Sequence, residues 1–429
     1  MSTYAEFLER KRKAFVGTSL PQFETPSKLF DWQAAIARWA MKKGRAALFA
    51  DCGLGKSFMQ LAWAHNVPGR VLILAPLCVA EQTVGEGQKL GIDVVYARSQ
   101  PDAAGARIVI SNYERIDGFH ADQFDGVVLD ESSILKAFDG KTRAKLIATF
   151  ARTPYRLCCT ATPSPNDIAE LANHAEFLGL MTRSEFLATW FVHDDAGWRM
   201  KGHARTPFYR WLASWAVALR TPSDIGYSDD GFVLPPLNIV DHVVEGGDPG
   251  GVLFPELGLK GIHGRQKARR ASLEDRCAVA ADLASDGRQW LLWCGLNAES
   301  DALADIVDGA VNVQGSDSYE VKRRAVLGFV AGDVRVLVTK AKIAGFGMNF
   351  QNCSRMAFVG IGDSYEQYYQ MMRRCWRFGQ KQPVDVHIVV SNAERAVVSN
   401  VRRKQAEAQE MTSQIIAHMR DFEREELAS

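Results

Sequence analysis

Short apolar runs alternate with helical patterns along the first part of the chain. The runs lie at 46–51, 71–76, 107–112, 126–131 and 155–162. Each run is bounded by turn or polar residues, and most are followed by a stretch with apolar positions at helical spacing. Buried strands that alternate with helices are typical of a parallel sheet covered on both faces, and such sheets bind ligands at the carboxyl ends of their strands. Residues 1–180 are therefore predicted to form an α/β domain with a site at that edge.

The pattern changes at about residue 181 and resumes after residue 245. A passage rich in proline and glycine at 233–261 is typical of a linker or loop. A second alternation of strands and helices follows, with apolar runs at 290–295, 310–315, 334–339, 355–360 and 384–389. The tail at 393–426 has apolar positions at helical spacing, which predicts one long helix or two shorter ones. The pattern thus predicts two α/β domains, 1–180 and 246–429, joined through a helical, aromatic-rich insertion at 181–245.

Composition and charge exclude several classes of protein. The 429 residues are 47% hydrophobic and 24% charged, which excludes a wholly disordered or collagen-like chain. No apolar run reaches the ~18 residues of a membrane span, and the charged start MSTYAEFLERKRKAF lacks an apolar signal core. We therefore expect a cytoplasmic protein with no membrane partner. The 51 basic and 50 acidic residues give a net charge of +1, which taken alone argues against a nucleic-acid partner.

The eight cysteines have no spacing typical of a metal site. They form no C-x-x-C pair, and the nine histidines do not cluster with them. We therefore expect no zinc and no disulfide framework, and we interpret the cysteines as small buried apolar residues in a reducing compartment.

A glycine loop directly follows the first apolar run. Residues 50–57 read ADCGLGKS, which predicts a strand, a loop and the start of a helix. In this layout Gly53 and Gly55 let backbone N–H groups approach phosphates, and the helix N-terminus adds partial positive charge. Lys56 can reach the β and γ phosphates, and the Ser57 hydroxyl can bind Mg²⁺. Ala50 replaces the first glycine of the full pattern, and an ordinary glycine-rich turn is the alternative.

A second strand ends in two acids, VVLDE at 127–131. A magnesium site needs a carboxylate beside the phosphate loop, and hydrolysis needs another to orient water. Asp130 suits the first role and Glu131 the second. An acidic pair after a strand often only marks the entry to a loop. However, this pair lies 74 residues after Lys56 with two apolar runs between, an order typical of a nucleotide-hydrolysing fold.

Several segments resemble, in the correct order, the motifs of superfamily 2 helicases and within them the Swi/Snf-like translocases. They are LFDWQ (29–33), ADCGLGKS (50–57), APLCVAEQ (75–82), SNYERI (111–116), DESS (130–133), TATPSPND (160–167), VRVLVTKAKIAGFGMNFQ (334–351) and QMMRRCWRFGQ (370–380). The resemblance covers roughly 28–180 and 288–392. The family often lacks the first loop glycine, which accounts for Ala50. DESS stands where the family usually has DEAH or a similar tetrad, so Ser132 and Ser133 depart from the commonest form while both acids are kept.

The resemblance implies two tandem RecA-like domains that hydrolyse ATP with Mg²⁺. It implies catalytic roles for Lys56, Asp130, Glu131, Arg374 and Arg377. It implies a nucleotide site formed by Gln33 at the adenine and by Gly53, Gly55, Lys56, Ser57, Gly345 and Gln370. The implied metal ligands are Ser57 and Asp130. The implied nucleic-acid contacts are Pro76, Asn112, Tyr113, Thr160, Thr162 and Lys340.

Two arginines of the last motif suit phosphoryl transfer. The reaction needs positive charge on the γ-phosphate oxygens, and a guanidinium is a permanently charged planar donor. Arg374 and Arg377 lie three residues apart, so on a helix they would share one face. If they come from the second domain, hydrolysis is coupled to closure of a two-domain cleft. The alternative is a basic, exposed helix face.

Other segments leave their role open. Aromatic and basic residues interleave at 186–215, as in a nucleic-acid platform, but the i,i+4 spacing of Trp211 and Trp215 favours a helical core. The basic stretches at 260–276 and 316–324 can contact phosphates or be solvated, and the one at 402–404 favours a solvated face.

The sequence therefore predicts an ATP-dependent DNA helicase or translocase, a nucleic-acid-dependent ATPase that moves on duplex or branched DNA. We expect a monomer that contacts the backbone without sequence specificity, and the compact length resembles members encoded by phages and prophages. Three alternatives stay open: an RNA-directed helicase, a remodeller that strips proteins from DNA without unwinding, and a non-catalytic module clamped by ATP. The net charge of +1 does not exclude DNA, because acids serve the metal and basic residues concentrate locally at 260–276 and 373–381.

Overall fold

The computed structural model describes residues 17–76, 79–136, 140–165, 167–194, 197–245, 269–341 and 349–428. The chain divides into two compact units. Unit 1 contains Met1–Asp230 and Glu407–Ser429, and unit 2 contains Gly231–Ala406. None of the described helices combines the length and apolar character that crossing a membrane requires.

The described part of unit 1 contains a seven-stranded parallel sheet in the order β3-β4-β2-β5-β6-β1-β9. Its strands are β1 (Arg45–Ala50), β2 (Val71–Ala75), β3 (Val95–Tyr96), β4 (Ile108–Asn112), β5 (Gly126–Asp130), β6 (Tyr155–Cys159) and β9 (Ala216–Leu219). Its helices are α1 (Asp31–Lys43), α2 (Lys56–Asn66), α3 (Ala80–Leu90), α4 (Lys141–Thr149), α5 (Leu171–Leu178), α6 (Arg183–Trp190) and α7 (Arg205–Ala213). The five apolar runs of the first part all lie on strands, and most of their residues are buried, as expected for a sheet covered on both faces.

The aromatic-rich segment contains strands as well as helices. An antiparallel hairpin, β7 (Phe191–Asp194) with β8 (Gly197–Met200), separates α6 from α7. The apolar residues that follow α7 form β9, which pairs in parallel with β1 at the edge of the sheet. The sequence pattern assigns this short run to the helical insertion, because the aromatic residues before it have helical spacing. Four consecutive buried apolar residues fit either a strand or a helix.

The aromatic side chains of this segment form core. Phe186, Trp190, Phe208 and Trp215 are at most 1% exposed, and they belong to the main apolar cluster of unit 1. The rings of Phe186 and Phe208 meet edge to face with centroids 5.8 Å apart. The core interpretation is confirmed for these residues, whereas a platform of exposed rings is wrong for them, since buried rings cannot stack on bases.

In its described part, unit 2 contains a six-stranded parallel sheet in the order β10-β15-β14-β11-β13-β12. The strands are β10 (Leu237–Val244), β11 (Trp290–Cys294), β12 (Ala310–Asn312), β13 (Val336–Thr339), β14 (Arg355–Val359) and β15 (Val384–Ser391). The helices are α8 (Leu273–Leu283), α9 (Asn297–Ile306), α10 (Tyr319–Ala331) and α11 (Tyr365–Met372). The predicted α/β class, with two parallel sheets, is confirmed.

The tail is one helix, α12 (Arg395–Ala428). It begins in unit 2, and its part from Glu407 onward belongs to unit 1. There Ile415, Ile416 and Met419 are at most 5% exposed and join the unit 1 core. Unit 1 therefore contains two separate segments of the chain, and the second is the part of α12 from Glu407 onward.

Candidate active site

The glycine loop joins β1 to α2. Gly53 has φ of 87° and Gly55 has φ of 73°, both in the left-handed region that side chains disfavour. A Cβ atom on Gly55 would also collide with the side-chain amide of Gln33. The conformation thus requires glycine, and it leads into the N-terminus of an 11-residue helix. This is the strand, loop and helix that the sequence predicts for phosphate binding.

Gln33 is fixed against this loop. Its Nε2 atom donates a hydrogen bond of 3.0 Å to the carbonyl of Leu54, and its Oε1 atom accepts one of 3.1 Å from the backbone of Phe30. The side chain is only 4% exposed. The structure therefore places Gln33 beside the glycine loop, and its contact with adenine stays a prediction.

Lys56 turns back toward the end of β1. Its Nζ atom donates to the carbonyls of Ala50 at 2.9 Å and of Asp51 at 3.3 Å. Burial opposes its charge, but the acidic surroundings, with Cys52 and Glu131 first among them, outweigh burial and raise the pKa of Lys56. The ammonium group therefore stays charged. Ser57 follows as the second residue of α2.

The acidic pair lies at the carboxyl end of β5, at the same edge of the sheet. In the strand register Asp130 is opposite Cys159 of β6, and Cys159 is opposite Leu48 of β1. Asp130 is thus two strands from β1, roughly 10 Å at the usual strand spacing. Burial and the neighbouring charge of Glu131 together raise the pKa of Asp130 to about 7, although Lys56 counteracts both.

These residues fit a magnesium-bound nucleotide. Two neighbouring acids, one of them buried, oppose a charged lysine, and a divalent cation would relieve the unfavourable ionisation of Asp130. Carboxylate and hydroxyl oxygens are the ligand types that Mg²⁺ prefers, and Asp130 with Ser57 would supply them.

Glu131 and the threonines after β6 are connected. The Thr160 hydroxyl donates to Glu131 Oε2 at 3.3 Å, and the Thr162 backbone donates to the Thr160 hydroxyl at 3.1 Å. Thr160 is fully buried and Thr162 is 9% exposed. Because β6 lies between β1 and β5, its end separates the glycine loop from the acids. The predicted nucleic-acid contacts of both threonines stay predictions.

Pro76 follows β2, whereas Asn112 is the last residue of β4 and Tyr113 follows it. Asn112 and Tyr113 are 4% and 6% exposed, and the Tyr113 hydroxyl donates to the backbone carbonyl of Asp130 at 2.7 Å. Sequence reasoning missed this support, because the two residues are far apart in the sequence. Whether these residues also touch nucleic acid stays a prediction.

In unit 2, α11 ends at Met372, so Arg374 and Arg377 lie in the turn that follows. The expected shared helix face is therefore wrong. The segment after the helix is held in another conformation, in which the indole of Trp376 donates to the carbonyl of Pro235 at 2.8 Å and Gly379 adopts φ of 89°. Arg373, which sequence reasoning overlooked, is 2% exposed.

The aromatic rings around Arg373 explain its burial. Its guanidinium lies 5.0 Å from the ring of Trp376, 5.4 Å from that of Phe378 and 5.7 Å from that of Tyr369. Cation–π contacts of this kind hold a buried charge at moderate cost. The turn that carries Arg374 is therefore anchored by aromatic side chains on both sides of Arg373 in the sequence.

The remaining predicted residues of unit 2 that the structure describes lie on different elements. Arg377 bonds the side chain of Asn349, and Lys340, directly after β13, bonds that of Asn297. Gln370 is half-buried in the last turn of α11. Gly345 lies outside the described residues, as do residues 260–268 of the basic segment at 260–276.

The two units, each with a parallel sheet in an α/β arrangement, have the RecA-like architecture that the sequence predicts. Residues 279–379, within unit 2, match the family model of the helicase conserved C-terminal domain. The predicted resemblance to superfamily 2 helicases is thereby confirmed. The SWI2/SNF2 ATPase core of Sulfolobus solfataricus, solved in complex with double-stranded DNA, matches 93% of this chain and 99% of its own, with 15% identity and a TM-score of 0.42. None of the curated proteins compared with this chain matches it.

Proposed function

We propose that this chain is a nucleic-acid-dependent ATPase that uses Mg-ATP to move on DNA. The observation that carries the proposal is the convergence of Lys56, Asp130 and Glu131 at one edge of the unit 1 sheet, where both acids raise the pKa of Lys56 and Lys56 lowers that of Asp130. A glycine loop, a lysine and two acids are together the groups that phosphoryl transfer requires.

The side chains divide the work by their chemistry. Lys56 and the backbone N–H groups of the glycine loop bind phosphate oxygens, and Asp130 with Ser57 holds the cation. Glu131 orients the attacking water and accepts its proton, with its carboxylate held by the Thr160 hydroxyl. When bound, Mg²⁺ neutralises negative charge on the phosphates.

Arg374 and Arg377 contribute positive charge to the same reaction in this proposal. The resemblance of QMMRRCWRFGQ to the last helicase motif supports these roles, and the family match at 279–379 includes both arginines. A guanidinium suits this task because it stays charged and offers several donors to phosphate oxygens.

DNA is the proposed track because TATPSPND and QMMRRCWRFGQ resemble the Swi/Snf-like pattern. A motor must tolerate every sequence, so contacts should go to the sugar-phosphate backbone. ATPase rates with duplex DNA, single-stranded DNA and RNA test this choice. Stimulation by RNA alone would contradict it and would favour the RNA-directed alternative.

Two substitutions test the site itself. Lys56→Ala should abolish nucleotide binding and hydrolysis, whereas Glu131→Gln should bind nucleotide normally and lose hydrolysis by two or more orders of magnitude, about 10²–10⁴-fold. Lys42→Ala, at an exposed position of α1, is the matched control and should hydrolyse ATP like wild type. Equal rates of ATP hydrolysis by Glu131→Gln and wild type would overturn the proposal and favour the alternative of a non-catalytic module that binds ATP.

Movement and unwinding need separate assays. A forked duplex reports strand separation, and displacement of a triplex-forming strand reports translocation along intact duplex. Triplex displacement without fork unwinding would identify a translocase that can strip proteins from DNA. Failure in both assays, with DNA-stimulated hydrolysis intact, would contradict the motor and leave only the ATPase.

A further inference from the structure

Glu131 has an unusual backbone conformation. Its φ is 56°, and among the described residues every other residue with positive φ is a glycine. A non-glycine residue persists in the left-handed region only when the surrounding structure enforces it. Since Glu131 lies between the buried strand β5 and the short 3-10 helix Ser132–Lys136, the enforcing contacts should act on its two neighbours in sequence.

Buried side chains hold both of these neighbours. On one side the Tyr113 hydroxyl donates to the carbonyl of Asp130 at 2.7 Å. On the other side the hydroxyl of Ser132 and Nε2 of His174 share a hydrogen bond of 3.1 Å. Ser132 and His174 are fully buried, and Tyr113 is 6% exposed. Tyr113 follows β4 and His174 lies on α5, so elements distant in the sequence fix the DESS segment (130–133) from two directions.

The chemistry of His174 suits a clamp, by which we mean the contacts of Tyr113 and His174 that fix the two neighbours of Glu131. Burial lowers the pKa of His174 to about 3, so the ring stays neutral and can pair with a hydroxyl at any ordinary pH. Its edge packs against the ring of Phe49 with centroids 5.4 Å apart, which fixes its orientation. Burying a polar ring is unfavourable unless it is hydrogen-bonded, and the described structure shows only the Ser132 partner for it.

We propose that Tyr113 and His174 are positioning residues that hold Glu131 in its left-handed conformation. This conformation directs the Glu131 carboxylate to the Thr160 hydroxyl and, in the proposed reaction, to the attacking water. The inference rests on the proposed function only for that last step. It gives Tyr113 a role in supporting the acidic pair, whereas the sequence motif suggested a contact with nucleic acid.

The first test needs no nucleotide. At a strained left-handed position glycine is more favourable than alanine, so Glu131→Gly should melt about 2–4 °C above Glu131→Ala. In a Tyr113→Phe/Ser132→Ala background the strain is released, and the difference should vanish or reverse. A Tyr96→Phe/Ser214→Ala background is the matched control and should keep the difference. If the melting temperatures of Glu131→Gly and Glu131→Ala differ equally in the wild-type background and in both double-variant backgrounds, the clamp is refuted.

The second test separates positioning from folding. Tyr113→Phe and Ser132→Ala should each lower kcat about tenfold with a KM for ATP within twofold of wild type, because nucleotide binding does not use these hydroxyls. His174→Gln, whose amide can reach the Nε2 position, should retain more activity than His174→Leu. Wild-type kcat in Tyr113→Phe and Ser132→Ala would refute the positioning role.

The two tests distinguish a failure of the proposed function from a failure of the positioning role of Tyr113 and His174. If wild type hydrolyses no ATP under any condition, the proposed function fails, and the comparison of glycine with alanine still decides the clamp. If wild type is active, Glu131→Gln is inactive and the clamp variants are fully active, the proposed function stands and the inference fails.

Discussion

Glu423 is a carboxylic acid buried in the core of unit 1, and its replacement by glutamine tests the electrostatics of the C-terminal helix. The side chain is fully buried, and its Oε1 atom accepts a 2.7 Å hydrogen bond from the backbone of Ala218 on the edge strand β9. Burial raises the pKa of Glu423 from 4.5 to about 8, although the bond from Ala218 counteracts this. Glutamine keeps an acceptor for Ala218 and cannot ionise.

The direction of the pH effect follows from the two states. Between pH 4.5 and about 8 the unfolded chain is ionised at Glu423, whereas the folded chain holds the proton. Stability from this group therefore falls as pH rises through that window and levels off above it. From pH 6 to pH 9 the free energy of unfolding should therefore fall by about 2–3 kcal/mol, because nearly two pH units of this interval lie below the folded pKa and each unit costs about 1.4 kcal/mol.

Denaturant unfolding and thermal melting at pH 6, 7.5 and 9 measure this effect. The stability of Glu423→Gln relative to wild type should rise by about 2–3 kcal/mol from pH 6 to pH 9, which is a gain of roughly 5–10 °C in relative melting temperature. Glu425→Gln, at an exposed position of the same helix, should follow wild type. Parallel pH profiles of Glu423→Gln and wild type would refute a raised pKa and the reasoning behind it.

Three further predictions concern other parts of the structure. Glu299→Gln should destabilise unit 2 by about 3–5 kcal/mol in denaturant unfolding, because Glu299 is fully buried and accepts bonds of 2.8 Å from both Arg269 and Arg276. Trp198→Ala should lower stability by about 1–2 kcal/mol through lost packing, with the DNA concentration for half-maximal ATPase stimulation unchanged. Gly55→Ala should abolish nucleotide binding, measured with a fluorescent ATP analogue, since its φ is 73° and a Cβ has no space.

Each of these predictions has a matched control in the chain. Glu274→Gln is exposed on α8 and should not alter stability. His203→Ala is exposed near Trp198 in sequence, and a weaker DNA response in the tryptophan variant alone would favour the platform alternative. Gly85→Ala lies in helix α3 with open space around its Cβ, so this variant should bind nucleotide like wild type.

Continuous apolar runs located most strands because a parallel strand buried on both faces needs no alternation. The runs 46–51 and 126–131 correspond to β1 (Arg45–Ala50) and β5 (Gly126–Asp130) within one residue. The acids at the end of β5 were found by the same logic, since a site at the strand ends needs polar residues directly after an apolar run. Local pattern and tertiary position agree there, which is why prediction succeeds.

Other features depend on contacts that no local pattern contains. β9 forms because β1 has an edge to pair, and its sequence alone fits a helix equally well. The turn after α11 places Arg374 outside the helix, and in this turn Trp376 bonds the distant Pro235. His174 reaches Ser132 across 42 residues, and a single histidine in an apolar helix predicts only core. The roles of the site residues themselves stay predictions until the substitutions are measured.

Some of the charged residues of unit 2 are paired inside the fold. In unit 2 Arg276, Glu299 and Glu394 are at most 3% exposed and form an ion-pair network with Arg269, whose side chain is 14% exposed. Charges paired inside the fold cancel in the total but present little field to a partner at the surface. A sum over all residues therefore mixes internal ion pairs, the acids of the candidate metal site and the exposed bases. Binding to a nucleic acid would depend on where the exposed bases lie and not on the sum of all charges, so a total of +1 does not argue against a nucleic-acid track.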